Sequence, residues 1–461
     1  MISTARWALA ILVVLAVLQL IRPTIPARPA TSEVQAPNGV RQILDRSCYS
    51  CHSDERRLSW FDQIVPAYWL VRHDVLAARS RLDFSTLGSR PAAAQEAALY
   101  EAVNMIRLGA MPLPRFVQLH PEARVTPDEL ASLEAYLAPW STRPQGPAPG
   151  AGSAGNSGAP SPTGSAGVAT PVDLTKIQPE LDGLSFDPAF EGWEPISTTD
   201  RGDNNTFRFI LANDIAMKAA QAGNIAPWPD GSRFAKVAWQ QAVGTDGLVH
   251  PGAFVQVELM VKDARLYSRT EGWGWGRWRG PDLKPYGSDP RFVDECTGCH
   301  LPVRGNDYVY TLPITAAHVR GEEVVNNAAA ALPADLPWQP LDWGAITLYV
   351  DPQNHATATL YGNDIAMRAV QARNPQPQAP AYPAGAVLAL VTWAQRGDPH
   401  WFGARIPGQF RSVEFVEVAA SGHADTYRRF AGSGLAEDRA AEAASGPRIN
   451  SILSLPPARL P

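Results

Sequence analysis

The spacing of apolar residues predicts helices in the first third of the chain. Within residues 38–52, the positions that share one helical face are Val40, Ile43, Leu44 and Ser47. Residues 92–108 are rich in Ala and Glu, which favour helix. Further on, Thr126 and Glu129 have the spacing of a capping box around Pro127, which suits the first helical position. We therefore predict an all-α domain over residues 36–138.

Beyond residue 172, apolar and polar residues alternate in short runs such as 206–211 and 254–261, which predicts β-strands. One stretch occurs twice: residues 210–224, ILANDIAMKAAQAGN, recur 150 positions later as residues 360–374, LYGNDIAMRAVQARN. Asn213 is placed to cap a helix that Gly223 ends. The simplest explanation is a duplicated β-rich (α+β) unit, with one copy in residues 173–325 and the other in residues 326–461.

The two parts are separated by a segment of biased composition. Residues 139–172 are almost entirely Pro, Ala, Gly and Ser, a mixture that buries too little apolar surface to offset its ordering entropy. We predict a flexible linker here. The formal net charge of the chain is −5, and no cluster of Lys and Arg is present, so nucleic acid is not expected as a partner.

The N-terminus contains an apolar run, Trp7–Ile21, that follows Arg6 and ends at Arg22 and Pro23. Fifteen residues are somewhat short for an upright span of a bilayer, and no Ala-x-Ala cleavage site follows directly. We expect residues 1–30 to be an uncleaved helix in the bacterial inner membrane, with a cleaved signal as the alternative. Either interpretation places the rest of the chain in the periplasm.

All four cysteines lie in two Cys-x-x-Cys-His motifs: Cys48, Cys51 and His52 form the first, and Cys296, Cys299 and His300 the second. In c-type attachment the two thiols bond to the haem vinyl groups and the histidine binds the iron. A zinc site would need further Cys or His ligands nearby, and a redox dithiol needs no histidine. We predict two covalently attached c-type haems, with His52 and His300 as iron ligands.

The sixth ligand of the first haem is expected in the segment IRLGAMPLPRF, residues 106–116. Met111 stands on a loop framed by Gly and Pro, outside any apolar stripe, and is our candidate; His120 and Met105 are the alternatives. His/Met ligation raises the potential and closes the iron to substrates, which indicates electron transfer. Residues 40–138 resemble a family of membrane-anchored haem-binding domains in the order of CYSCHS, IVPAYWLVRHDVLAARSRLDFS and GAMPLP. The resemblance implies a cytochrome c-like helical domain.

The second haem has no comparable methionine loop. Met217, Met260 and Met367 lie in apolar patterns that predict core packing, and His318 is the strongest rival ligand. An open sixth position is therefore expected. The segments WPDGSRFAKVAW, FVQVELMVKDA and CTGCHLPVRGNDYVYT, in that order, resemble cytochrome P-460 and the cytochromes c′-beta, over residues 180–320.

This resemblance implies a β-rich haem domain that binds nitrogen oxides. It also implies roles for three residues. Lys236 falls at the position of a lysine that is cross-linked to the porphyrin in hydroxylamine-oxidising members, Glu258 at that of a proton-accepting glutamate, and Arg208 at that of a pocket arginine. In the second copy these positions hold Leu390, Glu414 and Ala358. Because Glu414 persists in a copy with no haem motif, a structural role for Glu258 stays open.

These features predict a dihaem cytochrome in which the second haem oxidises hydroxylamine or a related small nitrogen compound and passes electrons to the first haem, and then to a periplasmic redox protein. The alternatives are a nitric oxide-binding sensor and a plain electron carrier. The segment EGWGWGRWRG, residues 271–280, is interpreted as a loop that packs over the haem or between the copies, with a binding role for Trp273, Trp275 and Trp278 left open.

Overall fold

The computed structural model describes residues 2–55, 57–141, 172–315, 319–320, 323–324, 326–372, 381–440, 445–458 and 460. Two compact units are present, and their described parts are residues 2–141 and 172–460. Most of the predicted linker, residues 142–171, lies outside the described residues.

The N-terminal unit is helical. Its helices are α1 (Ile2–Leu18), α2 (Asn38–Ser47), α3 (Tyr49–His52), α4 (Ala67–Arg81), α5 (Phe84–Leu87), α6 (Ala92–Arg107), α7 (Pro114–Leu119) and α8 (Pro127–Ser141). The predicted face of α2 is confirmed, since Val40, Ile43, Leu44 and Ser47 are its buried residues. The capping box of α8 is also confirmed: the backbone N–H of Thr126 donates to Glu129 Oε2 at 2.9 Å, and that of Glu129 donates to Thr126 Oγ1 at 3.3 Å.

Helix α1 is shorter than the predicted membrane anchor. It ends at Leu18 after 17 residues, before the apolar run itself ends. In the described part of the chain, no helix combines the length and the apolar character that a bilayer span needs. The structure therefore does not support the prediction of a transmembrane helix.

The C-terminal unit is built on one antiparallel sheet. Its strands are β1 (Glu194–Arg201), β2 (Thr206–Ala212), β3 (Arg233–Val243), β4 (Val249–Lys262), β5 (Trp273–Arg279), β6 (Lys284–Pro285), β9 (Gly344–Asp351), β10 (Ala356–Gly362), β11 (Val387–Asp398), β12 (Trp401–Glu417), β13 (Thr426–Ala431) and β14 (Ala436–Glu437). The short strands β7 (Val319–Arg320) and β8 (Glu323–Val324) form a separate hairpin. Pairing of β4 with β9 and of β12 with β1 closes eight strands into a barrel.

The repeat found in the sequence is a repeat of structure. The first copy runs β1, β2, α9 (Asp214–Ala222), β3, β4 and β5, and the second runs β9, β10, α11 (Asp364–Gln371), β11, β12 and β13. Asn213 caps α9 by accepting from the N–H of Ala216, and Gly223 ends it at a φ of +69°. Two further helices are α10 (Phe292–His300) in the first copy and α12 (Ser445–Leu453) in the second.

The segment 271–280 is not a loop, so that interpretation was wrong. Residues Trp273–Arg279 form strand β5, which pairs with β4 through residues such as Trp275 and Arg277. The side chains alternate between the two faces of the sheet, and Trp273, Trp275 and Trp278 are buried. The glycines between them weaken the strand signal in the sequence because glycine has little β-propensity.

Candidate haem sites

Helix α10 presents the groups of the second motif on one side. Cys296, Cys299 and His300 are spaced i, i+3 and i+4, which places them together on a helix surface. Both thiols are free. Nδ1 of His300 lies 2.7 Å from the carbonyl oxygen of Tyr308 and donates to it, which leaves Nε2 as the nitrogen available for iron. Burial lowers the pKa of His300 to about 4, so the imidazole is neutral at pH 7, as a metal ligand must be.

A row of charged side chains crosses the sheet on the face that α10 covers. Lys236 on β3 is opposite Glu258 on β4, and Glu258 is opposite Arg277 on β5. Lys236 forms an ion pair with Glu258, and Nε of Arg277 lies 2.9 Å from Glu258 Oε1. Gln256 also donates to Glu258, at 2.6 Å. We call Lys236, Glu258 and Arg277 the charged row.

The charged row faces the helix that carries the cysteines. Cys296 packs in the same apolar cluster as Ile210, Phe234 and Trp275, which occupy the same face of the strands. The ring of Trp275 lies 4.6 Å from the imidazole of His300. The strand register and the helix therefore bring the predicted residues Lys236, Glu258 and His300 into one site.

Burial and the neighbouring charges shift the pKa of each residue in the charged row. Burial would raise the pKa of Glu258, but the charges of Lys236 and Arg277 outweigh burial and hold the pKa well below its ordinary value. Burial lowers the pKa of Lys236 to about 8, against the opposing effect of Glu258. Arg277 has a raised pKa because the attraction of Glu258 exceeds the effect of its burial. Glu258 is therefore ionised at neutral pH.

Arg208 lies one row away, on β2 opposite Ala238. Burial, with Arg201 as a neighbouring charge, lowers its pKa to about 9. In the described part of the chain, Nε of Arg208 and Nε1 of Trp275 have no hydrogen-bond partner. A guanidinium Nε–H and an indole N–H without hydrogen-bond partners among the described residues suit an anionic, planar group, and two thiols with an adjacent neutral imidazole suit haem attachment. The residues present therefore fit a haem at this site.

The second copy keeps the register but fills the equivalent face differently. Leu390 is opposite Glu414 on β11 and β12, as Lys236 is opposite Glu258, and Leu390 is buried. The side chain of Arg448 on α12 binds Glu414 through two contacts of 2.7 Å, and Tyr427 donates to it at 2.6 Å. Glu414 is therefore satisfied within the protein. Helix α12 also packs Ile449 and Ile452 against this face.

The first motif lies where α2 meets α3. Cys48 is the residue between the two helices, and Cys51 and His52 belong to α3. Nδ1 of His52 lies 2.9 Å from the carbonyl oxygen of Leu82, which again leaves Nε2 for a metal, and burial lowers the pKa of this histidine. The same donor set therefore fits a haem here too.

The candidate sixth ligands for a haem at the first motif differ in their surroundings. His120 is buried, with Nε2 3.1 Å from Asp62 Oδ1 and Nδ1 3.4 Å from Glu122 Oε1, so both ring nitrogens have a carboxylate neighbour. Met105 lies inside α6, whereas Met111 lies in the segment between α6 and α7. Within the described ranges, no three His, Cys, Asp or Glu side chains converge as a metal-binding group. These contacts favour Met111, which stays a prediction.

The sequence offers three methionines and one histidine as further ligands for the second haem. Met217, Met260 and Met367 pack in or against apolar clusters, which agrees with the predicted core role. His318 lies outside the described residues. The sequence reasoning missed Arg277, although Trp273, Trp275, Arg277 and Arg279 alternate with other residues in the period of a strand.

Comparison with known families agrees with haem binding. Residues 188–311 and 341–445 match the family model described as cytochrome P460, and residues 10–139 match that of a haem-binding domain. The two matches support a haem-containing cytochrome. The two cytochrome P460 segments extend from just before β1 to just past α10 and across β9–β13, so they correspond to the structural repeat. No curated protein matches the chain.

Proposed function

We propose that the protein is a periplasmic dihaem c-type cytochrome whose second haem, on Cys296, Cys299 and His300, oxidises hydroxylamine or a related small nitrogen compound. The observation that carries the proposal is the charged row, Lys236, Glu258 and Arg277, on the face that α10 covers. A haem held by Cys296, Cys299 and His300 would supply one-electron redox chemistry and bind a small ligand. The remaining work is done by side chains of this chain.

Glu258 is the proposed proton acceptor. Removing electrons from hydroxylamine releases protons, and a carboxylate beside the reacting nitrogen can take them up. Flanked by two cations, Glu258 is a weak base because their charges lower its pKa. The resemblance to cytochrome P-460 implies that Lys236 is bonded to the porphyrin rim. Such a lysine carries no charge, and Glu258 then becomes a stronger base beside Arg277 alone.

Arg208 and Trp275 are proposed to hold the haem periphery. The guanidinium of Arg208, whose Nε has no hydrogen-bond partner among the described residues, would pair with a propionate beside the nearby carboxylates of Glu258 and Asp203. The indole of Trp275 lies 4.6 Å from His300 and restricts rotation of the imidazole. Arg208 and Trp275 would position the haem, and Glu258 would accept the proton released from hydroxylamine.

Electrons are proposed to pass to the haem on Cys48, Cys51 and His52, with Met111 as its sixth ligand, and then to a periplasmic redox protein. A His/Met iron exchanges electrons without binding substrate. The segment 139–172 joins the two units in one chain, which raises the effective concentration of the electron acceptor.

One observation favours an alternative function. Glu258 is ionised and forms ion pairs with Lys236 and Arg277. A carboxylate held in this way can act as a fixed hydrogen-bond acceptor as well as a base. The alternative is a protein that binds nitric oxide without turnover, in which Glu258 only positions the ligand.

Spectroscopic measurements on the purified protein separate these functions. For the oxidase we expect hydroxylamine-dependent reduction of the first haem, and a ferrous Soret band shifted well to the red of an ordinary c-type haem. Carbon monoxide should bind the second haem in its reduced form and leave the first unchanged. Nitric oxide binding with no reduction by hydroxylamine would identify the alternative, and two ordinary c-type spectra with no ligand binding would contradict both.

We also propose that the N-terminal unit is held at the inner membrane. On α1, Trp7, Leu9 and Leu12 are each more than 60% exposed. Near the end of this helix, Trp69 Nε1 donates to the carbonyl oxygen of Ile21 at 2.8 Å, and Trp69 is itself exposed. Exposed apolar and indole side chains of this kind bind the interface of a bilayer.

A further inference from the structure

Tyr310 connects the helix that carries the second motif with the second copy. Its hydroxyl donates to the carbonyl oxygen of Cys299 at 2.7 Å, and its ring lies edge-on to the imidazole of His300 with centroids 5.1 Å apart. On the other side, Nδ1 of His400 donates to the carbonyl oxygen of Tyr310 at 2.6 Å, and the ring of Trp401 lies 5.6 Å away. His400 and Trp401 belong to the hairpin between β11 and β12 of the second copy.

The residues just before Tyr310 adopt an unfavourable backbone conformation. Asp307 and Tyr308 have φ values of +46° and +67°, in the left-handed region that Gly, Asn and Asp tolerate and that an aromatic residue such as Tyr308 rarely adopts. We call Asp307–Tyr310 the proximal strap, because the Tyr308 carbonyl oxygen in it accepts the hydrogen bond of His300. A strained strap needs contacts that hold it in place.

The first copy secures one end of the strap. Nζ of Lys262 lies 2.8 Å from Asp307 Oδ2, with both side chains nearly buried, and the N–H of Trp228 donates to the same oxygen at 2.9 Å. Tyr310, at the other end, is secured by the second copy through His400. Trp401 is held in turn by Asp203, which accepts from its Nε1 at 3.2 Å, and by Arg201, whose guanidinium lies 4.3 Å from its ring.

We propose that His400 and Trp401 are positioning residues for His300, so that the second copy sets the strength of the hydrogen bond between the His300 ring and the strap. The proposal rests on haem attachment at α10, which is part of the proposed function. A firm bond from Nδ1 to a carbonyl oxygen increases electron donation by the imidazole and stabilises ferric iron. Loosening the strap weakens this bond and favours ferrous iron.

The test is His400→Leu in the full-length holoprotein, read by resonance Raman scattering and by redox titration. The iron–histidine stretching band arises from a five-coordinate ferrous haem, so it reports on the His300 centre and is silent for a His/Met haem. We expect the band to move to lower frequency. At a fixed applied potential, the ferrous-to-ferric ratio of this haem should rise roughly threefold to tenfold.

A matched control and a rescue separate positioning from a general loss of structure. His250→Leu removes a histidine from the hairpin strand of the first copy, where Nε2 contacts Asp246 at 2.9 Å, and should leave band and ratio unchanged. His400→Asn keeps an N–H donor and should show only part of the shift that His400→Leu gives. If His400→Leu does not fold, Trp401→Leu should give the same direction of change.

The outcomes are distinct. A folded His400→Leu protein with haem on α10 and an unchanged band and ratio would overturn this inference while the proposed function stands. A wild-type protein that carries no haem on Cys296 and Cys299 would overturn both. A shift of equal size in His250→Leu would also overturn the inference, because the effect would then not depend on the strap.

Discussion

Lys236 lies directly opposite Glu258 on the antiparallel strands β3 and β4, and the two side chains form an ion pair. The same register recurs in the second copy, where leucine replaces the lysine at position 390. A buried lysine is costly unless a partner compensates its charge. The lysine opposite the glutamate therefore distinguishes the first copy from the second, in which Arg448 pairs with Glu414 instead.

Replacing Glu258 by Gln should lower the rate of hydroxylamine oxidation by about 10²- to 10⁴-fold, because the amide cannot accept the proton. The measurement is reduction of the first haem in the presence of hydroxylamine. Glu414→Gln is the matched control, since Glu414 has the same register in the second copy. Its rate should equal that of the wild type. Equal rates in Glu258→Gln and the wild type would show that Glu258 is not the base.

Lys236 should be a nucleophile at unusually low pH. In a chain with Cys296→Ser and Cys299→Ser, which attaches no haem to α10, trinitrobenzenesulfonate labelling followed by mass spectrometry measures the neutral amine. Half of the limiting labelling rate should be reached near pH 8, because burial lowers the pKa of Lys236 to about 8. Glu258 opposes this effect, so Glu258→Gln should move the midpoint to lower pH. A midpoint that rises in Glu258→Gln would contradict the assignment.

Met111→Ala should abolish the sulfur-to-iron charge-transfer band at the red edge of the oxidised spectrum. The reason is loss of the thioether ligand of the first haem. His120→Ala is the control: its imidazole has carboxylate neighbours at both nitrogens, and the band should persist in that variant. Persistence of the band in Met111→Ala, with loss in Met105→Ala, would move the ligand to α6.

Arg448→Met should destabilise the C-terminal unit by about 1–3 kcal/mol, because the buried Glu414 would lose its main partner while keeping the hydrogen bond from Tyr427. Urea unfolding followed by tryptophan fluorescence gives the free energy of unfolding. Arg428→Met breaks a more exposed ion pair with Glu437, at 2.7 Å, and should cost at most about 1 kcal/mol. Equal losses in the two variants would contradict the buried role of Glu414.

Binding to lipid vesicles tests the proposed contact of the N-terminal unit with the membrane. Full-length protein should float with vesicles that contain anionic lipid, and replacing Leu9, Leu12 and Val13 by Ser should reduce the floating fraction severalfold because apolar contact is lost. Leu266→Ser, an exposed leucine of the C-terminal unit, is the control. Undiminished flotation of the triple variant would exclude α1 as the contact.

Local patterns in the sequence predicted the local structure well. The buried face of α2, the capping box of α8 and the cap of α9 depend on neighbours within a few residues, and each is confirmed. The duplication was also readable because it preserves the Asn-Asp-Ile-Ala-Met core of both helices. These signals arise from interactions within one element, where spacing alone determines the contact.

The pairing register of strands that are far apart in the sequence could not be predicted from such local patterns. Arg277 joins the charged row only because β5 pairs with β4 so that Arg277 is opposite Glu258. The closure of the barrel depends on pairing of Asp200 with Arg405, which are about two hundred positions apart. His400 reaches Tyr310 through the fold alone. No periodicity within a single element records such contacts.

The contrast between Lys236 and Leu390 has a consequence for how this chain tolerates change. The face of the first copy carries Lys236 beside Glu258, whereas the equivalent face of the second copy packs Leu390 against α12 and pairs Glu414 with Arg448. A substitution at Lys236 should therefore alter the charge of the site in the first copy, whereas one at Leu390 should disturb the apolar packing that holds α12 in the second copy.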